Sequence, residues 1–403
     1  MQVEKIPQEF TVALPLLQQI RAAGFEAYFV GGSVRDTILG LPIHDVDIAT
    51  SAYPAEIKAI FERTVDTGIE HGTVMVLDHG EGYEITTFRT ESGYQDFRRP
   101  DKVEFVRSLK EDLKRRDLTI NALALAPDGT VIDMFSGLDD LKNKTIRAVG
   151  DPTERFFEDA LRMMRTVRFA SQLDFKIEPK TLQAIKANAH LLEKIAVERI
   201  QVEWIKLLLG KNVVQGLDAF LETELFKYCP QFATREQALR KIAKLPQLKL
   251  GDELECWALL AYVFELTPKQ VRSFLKAWKT SNDISMEVQN VLSILEQATP
   301  DLDPLVCYHA KERATKAASH LLDILQLPLT GAKLLQTYTA LPIKDKAQLA
   351  LNGKDLIQTL GLKPGPGLGK ILNTLEQKVV LGELANDKAV LLAQAEKLSK
   401  ELN

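Results

Sequence analysis

Two aspartates one residue apart are the first residues in this chain whose type and spacing could do chemistry. Asp45 and Asp47 lie in the segment HDVDIAT, where they alternate with Val46 and Ile48. On a β-strand, residues two apart share a face, so both carboxylates point to one side and the apolar pair to the other. Neighbouring carboxylates repel each other unless a cation lies between them, and Mg²⁺ is the oxygen-seeking ion that proteins usually share with substrate phosphates. The pair therefore indicates metal-assisted phosphoryl or nucleotidyl transfer, and a polar strand face is the alternative for a single DxD.

A glycine-containing turn precedes the aspartates and could bind the phosphates. The segment GGSVRD follows the apolar run YFV and ends nine residues before Asp45. Glycines after a strand let the backbone approach a bulky anion, and the next residues can open a helix whose N–H groups point at phosphate. Gly31 and Gly32 would supply that approach, and Arg35 would add a cation. An ordinary strand-to-helix turn is the alternative. The nearby aspartates favour the phosphate-binding interpretation over it.

Two further segments carry polar residues that suit the same site. In YEITTFR, Glu84 alternates with an isoleucine and is a candidate third carboxylate on a neighbouring strand, with a solvated strand residue as the alternative. The segment RRDLTINALA is predicted to be a helix whose apolar residues enter the core. Arg116 could hold a triphosphate, and Asp117 or Asn121 could bind ribose hydroxyls. A capped surface helix is the other interpretation.

A stripe of arginines follows in the segment EDALRMMRTVR. A spacing of three residues keeps Asp159, Arg162, Arg165 and Arg168 on adjacent parts of one helix surface, and Glu158 precedes them. Ion pairs on a solvated helix face are the alternative. Three arginines against one aspartate on the stripe weaken that alternative, but Glu154 and Glu158 could balance the positive charge, so the spacing alone does not decide between the two.

The elements that must position these residues divide the chain into a mixed part and a helical part. Within the first ~145 residues, short β-like runs alternate with helical patterns, which predicts an α+β unit with a mixed sheet. From about residue 153 only helical patterns follow, and DPTERFFEDALRMMRTVRFASQL is predicted to be one amphipathic helix that starts near Pro152. The expected fold class is therefore an α+β head followed by an all-α remainder in an elongated, multidomain chain.

Length and composition agree with a large globular protein. The chain has 403 residues, of which 45% are hydrophobic and 26% are charged, and this excludes a disordered or collagen-like chain. No run of ~18 apolar residues predicts a membrane span, and the first residues lack the apolar core of a signal peptide. Three widely separated cysteines fit buried, reduced thiols of a cytoplasmic protein, with neither a disulfide framework nor a zinc site.

These motifs occur together in a known family. In their order and combination, GGSVRD, DVDIAT, RRDLTINALA, DPTERFFEDALRMMRTVRFA and VERI resemble class II (bacterial and eukaryotic-type) tRNA nucleotidyltransferases, the CCA-adding enzymes of the polymerase-β superfamily. The motifs cover residues 25–205, and the later helical part resembles the Gram-positive-type subgroup. The resemblance implies a catalytic head at 1–148, a base-selecting neck at 149–210, a helical body at 211–298 and a tRNA-binding tail at 299–403.

The resemblance also implies an activity and a role for each matching residue. The activity is template-independent addition of C, C and A to tRNA 3′ ends from CTP and ATP, with repair of damaged ends. Asp45 and Asp47 would be catalytic and hold Mg²⁺, and Asp159 and Arg162 would select the base. The other nucleotide-binding residues would be Gly32, Arg35, Arg116, Arg165 and Arg168, with Gly31, Glu84, Asp117, Asn121 and Glu158 as weaker candidates.

Related activities differ from this one in segments outside the shared motifs. CC-only enzymes lack the loop that is present here between Ser92 and Val106, with Arg98, Arg99 and Pro100 within it. Poly(A) polymerases usually carry more basic extensions, which are not seen here. An A-adding enzyme, a poly(A) polymerase and a catalytically inactive RNA-binding protein remain the alternatives. Some members of the family form homodimers, which makes a homodimer one expectation for this chain.

The acidic net charge of −4 does not exclude a tRNA partner, because positive charge is concentrated locally. Residues 98–116 contain eight Lys and Arg against four Asp and Glu, and residues 341–380 contain six Lys against three Asp and Glu. In the second region, GLKPGPGLGK is predicted to be a turn before a helix that starts near Leu368. Exposed N–H groups of Gly365 and Gly367, with Lys370, could bind RNA phosphate there, and a plain helix–helix turn is the alternative.

Overall fold

The chain folds into two compact units, Met1–Ala243 and Lys244–Asn403, in a computed structural model that describes residues 1–95 and 99–401. All strands of the described residues lie in the first unit, and the second unit is built from helices. The predicted α+β head followed by helical segments is confirmed.

A mixed sheet forms the centre of the first unit. Its strands are β1 (Ala27–Val30), β2 (Asp47–Thr50), β3 (Thr64–Gly68), β4 (Thr73–Asp78), β5 (Glu81–Thr87), β8 (Leu123–Leu125) and β9 (Val131–Asp133). Within the described ranges they form a seven-stranded sheet in the order β3-β4-β5-β2-β1-β8-β9. β2 and β5 pair in parallel, and the other neighbours pair antiparallel.

Two shorter strand pairs lie outside this sheet. The antiparallel pair consists of β6 (Arg89–Gln95) and β7 (Arg99–Phe105), and the parallel pair of β10 (Thr145–Ile146) and β11 (Lys176–Ile177). The segment expected as a loop between Ser92 and Val106 is thus largely a hairpin, and Arg98 lies outside the described residues. The β11 strand corrects the prediction that only helices follow residue 153.

Helices pack around the sheet and continue through the second unit. The helices of the first unit are α1 (Gln8–Ala22), α2 (Gly32–Leu39), α3 (Pro54–Ile60), α4 (Leu109–Lys114), α5 (Gly137–Lys142), α6 (Pro152–Glu158), α7 (Leu161–Leu173), α8 (Pro179–Asn188), α9 (Val197–Leu208), α10 (Val213–Glu222) and α11 (Glu236–Ala243). Those of the second unit are α12 (Glu253–Val263), α13 (Pro268–Ala277), α14 (Asn282–Leu295), α15 (Pro304–Ile324), α16 (Gly331–Ala340), α17 (Gly353–Leu360), α18 (Pro366–Val380) and α19 (Lys388–Glu401).

An apolar core on one face of the sheet fixes which side chains point to the other face. Phe10 from α1 stacks on Phe29 of β1 at 4.3 Å between ring centroids, and Ile48 and Ile85 from β2 and β5 are fully buried in the same cluster. Each such side chain contributes about 1.5–3 kcal/mol on burial. Because side chains alternate along a strand, the residues that precede these two isoleucines face away from this core.

The segment RRDLTINALA does not form the predicted helix. α4 ends at Lys114, the backbone at Leu118 is extended, and the apolar run Leu123–Leu125 is strand β8 between β1 and β9. Ile120, Leu123 and Ala124 are buried as predicted. A short apolar run fits a buried strand as well as a buried helix, so its periodicity alone could not separate the two.

The predicted helix from Pro152 onward is interrupted at Asp159. The side chain of Asp151 caps α6 by accepting the N–H groups of Thr153 and Glu154 at 2.9 and 3.3 Å, so the helix begins as expected. At Asp159 the backbone is extended (φ −141°, ψ 104°), and its Oδ1 accepts the N–H of Leu161 at 3.0 Å. The aspartate thus offers the backbone a local hydrogen bond in place of a continuous helix.

Cysteine and membrane predictions are consistent with this fold. Cys229, Cys256 and Cys307 are buried and unpaired, as predicted for reduced thiols. Across residues 1–95 and 99–401, the helices are too short or too polar to cross a bilayer.

Candidate active site

Three carboxylate residues lie near the start of β2. Asp47 is the first residue of β2, and the parallel pairing of Ile48 with Ile85 sets Asp47 beside Glu84 of β5, on the face opposite the core. Asp45 lies before the strand and not on it, which corrects the prediction that both aspartates are strand residues. All three carboxylate residues are exposed.

The electrostatics of Asp47 suit a cation-binding carboxylate. Although Asp47 is exposed as a residue, the protein packed around its carboxylate raises its pKa by desolvation, Arg116 acts to lower the pKa, and the like charges of Glu84 and Asp45 raise it further. Within the described part of the chain, no three His, Cys, Asp or Glu side chains come close enough to hold a metal by themselves. Mg²⁺ usually binds through one or two carboxylates together with water and substrate phosphates, so this incomplete set of hard oxygen donors fits Mg²⁺.

The turn between β1 and α2 brings the backbone close to this carboxylate. Gly31 has φ 78° and ψ −139°, a conformation that L side chains rarely adopt. A Cβ atom at this position would lie 3.0 Å from Nη1 of Arg116 and 3.6 Å from Oδ2 of Asp47. The absence of a side chain at Gly31 therefore lets the glycine turn, Asp47 and Arg116 come close together. Helix α2 starts immediately after this turn, at Gly32.

Arg35 connects that turn to the segment after α4. Its guanidinium donates to both carboxylate oxygens of Asp36 at 2.9 Å and to Oδ1 of Asn121 at 2.6 Å, and it stacks 4.8 Å from the Phe169 ring centroid. Asn121 in turn donates to Asp117 at 3.2 Å. Arg35 is only 5% exposed and lines neither of the two cavities described below, so its guanidinium lies in the protein interior next to the glycine turn.

Arg116 is a partly buried cation with weak hydrogen bonds. Its hydrogen bonds are long, at 3.4 Å to Asp112 and 3.5 Å to the carbonyl of Asn121. Its Nε is buried and has no hydrogen-bond partner among the described residues. Burial lowers the pKa of Arg116, and the charge of Asp112 opposes that shift. Leaving such a donor unpaired costs about 1–3 kcal/mol.

Two adjacent cavities share Arg115 and Arg116 as a common wall. The carboxylate cavity, of about 190 Å³, is lined by these two arginines and by Asp47, Arg89, Asp112 and residues of the sheet. The arginine cavity, of about 300 Å³, is lined by the same two arginines and by Asp117, Asp159, Leu161, Arg162, Arg165 and Arg199. Carboxylates at one end and a polar, arginine-rich chamber at the other could accommodate a metal-bound triphosphate and a base.

Asp159 and Arg162 face the same cavity, but each has a different protein partner. Oδ2 of Asp159 accepts from Arg199 at 2.8 Å. Arg162 donates to Oε2 of Glu158 at 2.6 Å and to the carbonyl of Arg115 at 2.9 Å. Desolvation raises the pKa of Glu158, and Arg162 acts to lower it. A carboxylate acceptor and a guanidinium donor thus line the same cavity, and each is held by its own protein partner.

The remaining two arginines of the stripe differ in exposure. Arg165 lines the arginine cavity and donates to Asp117 at 2.7 Å. Arg168 is 6% exposed, pairs with Glu203 at 2.5 Å, lies 3.7 Å from the Phe169 ring centroid and lines neither cavity. The predicted continuous stripe is therefore split between a cavity wall and the packing behind it.

Several residues that shape the site were not given a role by the sequence. Arg199 follows Asp159 by forty residues, and VERI indicated only membership of the family. Glu203 had no local signal, because its partner Arg168 lies on another helix. Arg89 had none, because only tertiary packing brings it to the carboxylate cavity. In the sequence, only the excess of arginine over acidic residues on the stripe indicated that other anionic groups would contact these arginines.

The segment proposed for tRNA contact lies in the second unit. Gly361 ends α17 at φ 66°, and α18 begins at Pro366, two residues earlier than predicted. Gly365, Gly367 and Lys370 are exposed, and a Cβ at Gly367 would meet no atom within 4 Å.

Asp117 should contribute stability that depends on pH. Burial raises its pKa, but Arg165 and Arg162 outweigh burial and hold the pKa well below the ordinary value, so the contribution is full above about pH 4 and is lost as pH falls below it. We expect Asp117→Asn to lower the free energy of unfolding by about 2 kcal/mol at pH 7, which is less than for a fully buried pair because Arg165 is a third exposed.

Urea unfolding between pH 7 and pH 3 measures this effect. The difference in free energy of unfolding between the unchanged protein and Asp117→Asn should become smaller as the pH falls. Asp139→Asn, on an exposed residue, is the control, and a constant gap for Asp117→Asn would contradict the assignment.

Comparison with known proteins identifies the family. Residues 27–147 match the model described as Poly A polymerase head domain, residues 174–235 match "Probable RNA and SrmB- binding site of polymerase A", and residues 248–395 match tRNA nucleotidyltransferase domain 2. The chain is 60% identical to the CCA-adding enzyme of Ligilactobacillus salivarius over 99% of both chains, and 58% identical to that of Limosilactobacillus fermentum over 99% of this chain and 100% of the other.

A solved structure agrees over the same length. The crystal structure of the Bacillus stearothermophilus CCA-adding enzyme in complex with CTP matches with a TM-score of 0.89 and 40% identity, covering 98% of this chain and 99% of that one. Full-length identity of this order, together with the matching head and C-terminal domain models, means that the chain belongs to the CCA-adding enzyme family of tRNA nucleotidyltransferases.

Proposed function

We propose that this protein adds C, C and A to the 3′ end of tRNA, using CTP and ATP without a nucleic-acid template, and that it repairs shortened ends in the same way. One observation carries the proposal: Arg115 and Arg116 join the carboxylate cavity to the arginine cavity. A nucleoside triphosphate laid across this wall would have its phosphates beside Asp47 and its base beside Asp159 and Arg162.

Base selection would follow from the order of acceptor and donor. Cytosine and adenine each present an amino donor beside a ring-nitrogen acceptor, which suits a carboxylate acceptor at Asp159 beside a guanidinium donor at Arg162. Uracil and guanine present a carbonyl beside an N–H on that edge. They would oppose carbonyl to carboxylate and leave polar groups unpaired, which is how a hydrogen-bonding site rejects an analogue strongly.

The phosphate end would be held by charge. Arg116, which lines both cavities, would donate to the triphosphate, and the N–H groups after Gly31 would face the same anion. Asp45 and Asp47, with Glu84 beside them, would hold Mg²⁺, which supplies charge neutralisation and activation of the attacking hydroxyl when bound. The 3′-OH of the tRNA would lose its proton to water and attack the α-phosphorus in line. The bond from the α-phosphorus to the oxygen bridging the β-phosphate would break, and pyrophosphate would leave toward Arg116.

One assay separates this function from its alternatives. Purified protein is incubated with tRNA lacking CCA, with CTP, ATP and Mg²⁺, and the product is sized and sequenced. Growth by CCA supports the proposal. Growth by A alone from tRNA ending in CC indicates an A-adding enzyme, long adenosine tails indicate a poly(A) polymerase, and binding without growth indicates an inactive RNA-binding protein.

The turn before α18 would contact the tRNA backbone. Gly367→Asp places a carboxylate in the first turn of an exposed helix, where it fits sterically and favours the helix dipole, so folding should be retained while RNA phosphate is repelled. We expect tRNA affinity to fall by about threefold to tenfold at low salt and by less at high salt. Filter binding checks this, with Asn282→Asp at the start of α14 as a control that adds the same charge. Equal affinities for the two variants would contradict the contact.

We further propose a cytoplasmic location, where tRNA and nucleoside triphosphates are available, and a homodimeric state. Sedimentation of the 45.1-kDa chain measures the second directly.

A further inference from the structure

A buried carboxylate outside the predicted set lies beside the two arginines that the cavities share, and it belongs to the lining of the carboxylate cavity. Asp112, at 1% exposure, is one of the most buried charged residues described. Its Oδ1 accepts from Nη2 and Nε of Arg115 at 2.8 and 3.0 Å and from the backbone N–H of Arg89 at 3.3 Å, and its Oδ2 accepts from Arg116 at 3.4 Å. One carboxylate therefore contacts both arginines of the wall and the start of strand β6.

The positive charges of Arg115 and Arg116 explain why a buried carboxylate at Asp112 stabilises the wall between the cavities. Arg115 and Arg116 are adjacent, partly buried and mutually repulsive, since the charge of Arg115 lowers the pKa of Arg116. Burial alone would raise the pKa of Asp112, but the two arginines outweigh burial and keep it charged. Glu91 of β6 adds a second contact to Arg115 at 3.3 Å and also pairs with Arg89 at 2.8 Å.

We infer that Asp112 is a positioning residue for nucleotide transfer, which sets the direction of the Arg115 and Arg116 side chains toward the triphosphate and ties them to the root of the β6–β7 hairpin. This inference rests on the proposed function and adds a residue to it. Arg116 forms an ion pair with Asp112 at 3.4 Å, and its other hydrogen bond, to the Asn121 carbonyl, is long and to a neutral group, so the carboxylate contributes the charged contact that orients it. Asp112 itself need not touch the nucleotide.

The test compares ligands that differ only in their phosphates. Equilibrium binding of ATP and of AMP to the full chain is measured for the unchanged protein and for Asp112→Asn, which keeps the shape and removes the charge. Binding of ATP should weaken about 10-fold while AMP binding changes less than about twofold, as expected when one partner of a buried charge pair near the outer phosphates is removed. In the tRNA assay, KM for CTP and ATP should rise together, with kcat and the preference for CTP over UTP changed much less.

Asp140→Asn is the matched control. Asp140 is 4% exposed and also pairs with an arginine, Arg147, at 3.1 Å, but it lines neither cavity. It should lower thermal stability and leave the ratio of ATP to AMP affinity unchanged. If Asp112→Asn does not fold, Glu91→Gln removes the other carboxylate on Arg115 and should shift the same ratio in the same direction.

The outcomes are distinct from those that test the proposed function. An unchanged ratio in the folded variants, or equal losses for ATP and AMP, would overturn the positioning role. Failure of the unchanged protein to extend tRNA would instead overturn the function, because the binding comparison requires no polymerisation.

Discussion

An Asp47→Asn variant is expected to incorporate CTP into tRNA about 10³-fold more slowly than the unchanged protein, while its affinity for tRNA stays within about twofold. Asp47 combines a position in the carboxylate cavity, closeness to the Gly31 turn, and a pKa raised first by desolvation and then by Glu84 and Asp45. An amide of the same shape keeps the local packing but loses the charge that would hold Mg²⁺.

Single-turnover incorporation of labelled CTP, followed over a range of Mg²⁺ concentrations, measures this effect. Asp66→Asn is the matched control, because Asp66 lies in the same sheet and pairs with Lys58 at 3.0 Å on the exposed surface, away from both cavities. Asp45→Ala should behave like Asp47→Asn. Loss of tRNA binding with the chemistry intact would contradict the assignment of these carboxylates.

Replacing Arg162 with alanine should relax the choice of base more than it slows the reaction. The preference for CTP over UTP is expected to fall by about 10- to 100-fold, since each unpaired buried polar group costs about 1–3 kcal/mol and the mismatch with uracil disappears with the guanidinium. Arg162 lines the arginine cavity beside Asp159 and is held by Glu158 and the Arg115 carbonyl.

Arg155→Ala is a sharp control for this variant. Arg155 shares the partner Glu158 with Arg162, yet it lines neither cavity. The ratio of kcat/KM for CTP and UTP, and for ATP and GTP, is measured for both variants under single-nucleotide conditions. Full discrimination in Arg162→Ala, or equal loss in both variants, would show that the base is selected elsewhere.

The parts of the site that lie close together in sequence could be predicted from it. The meeting of Gly31 with Asp47 follows from a strand, a turn and the next strand, each with a clear local pattern. The burial of Leu123 was predictable from its apolar neighbours, but its strand conformation was not, because three apolar residues fit either element.

Partners that are far apart in the chain could not be predicted. Asp112 has acidic and basic neighbours that suggest surface ion pairs, and only tertiary packing shows that it is buried beneath two arginines. Likewise, the helical period from Pro152 onward is continuous in the sequence. The interruption at Asp159 depends on a side-chain cap and on Arg199 from α9, which no local pattern records.

The interruption at Asp159 has a consequence for how nucleotide choice can evolve. Oδ1 of Asp159 accepts the Leu161 N–H at 3.0 Å and a long hydrogen bond from Arg199 at 3.5 Å, whereas Oδ2 accepts from Arg199 at 2.8 Å. The first oxygen therefore serves mainly the cap, and the second mainly the arginine. An asparagine could keep the cap with its carbonyl while presenting an amino group where the second oxygen stood. A single exchange would thus invert the polarity offered to a base and leave the start of α7 intact. Arg199 would then lose its anionic partner, and the loss of this ion pair would destabilise the variant.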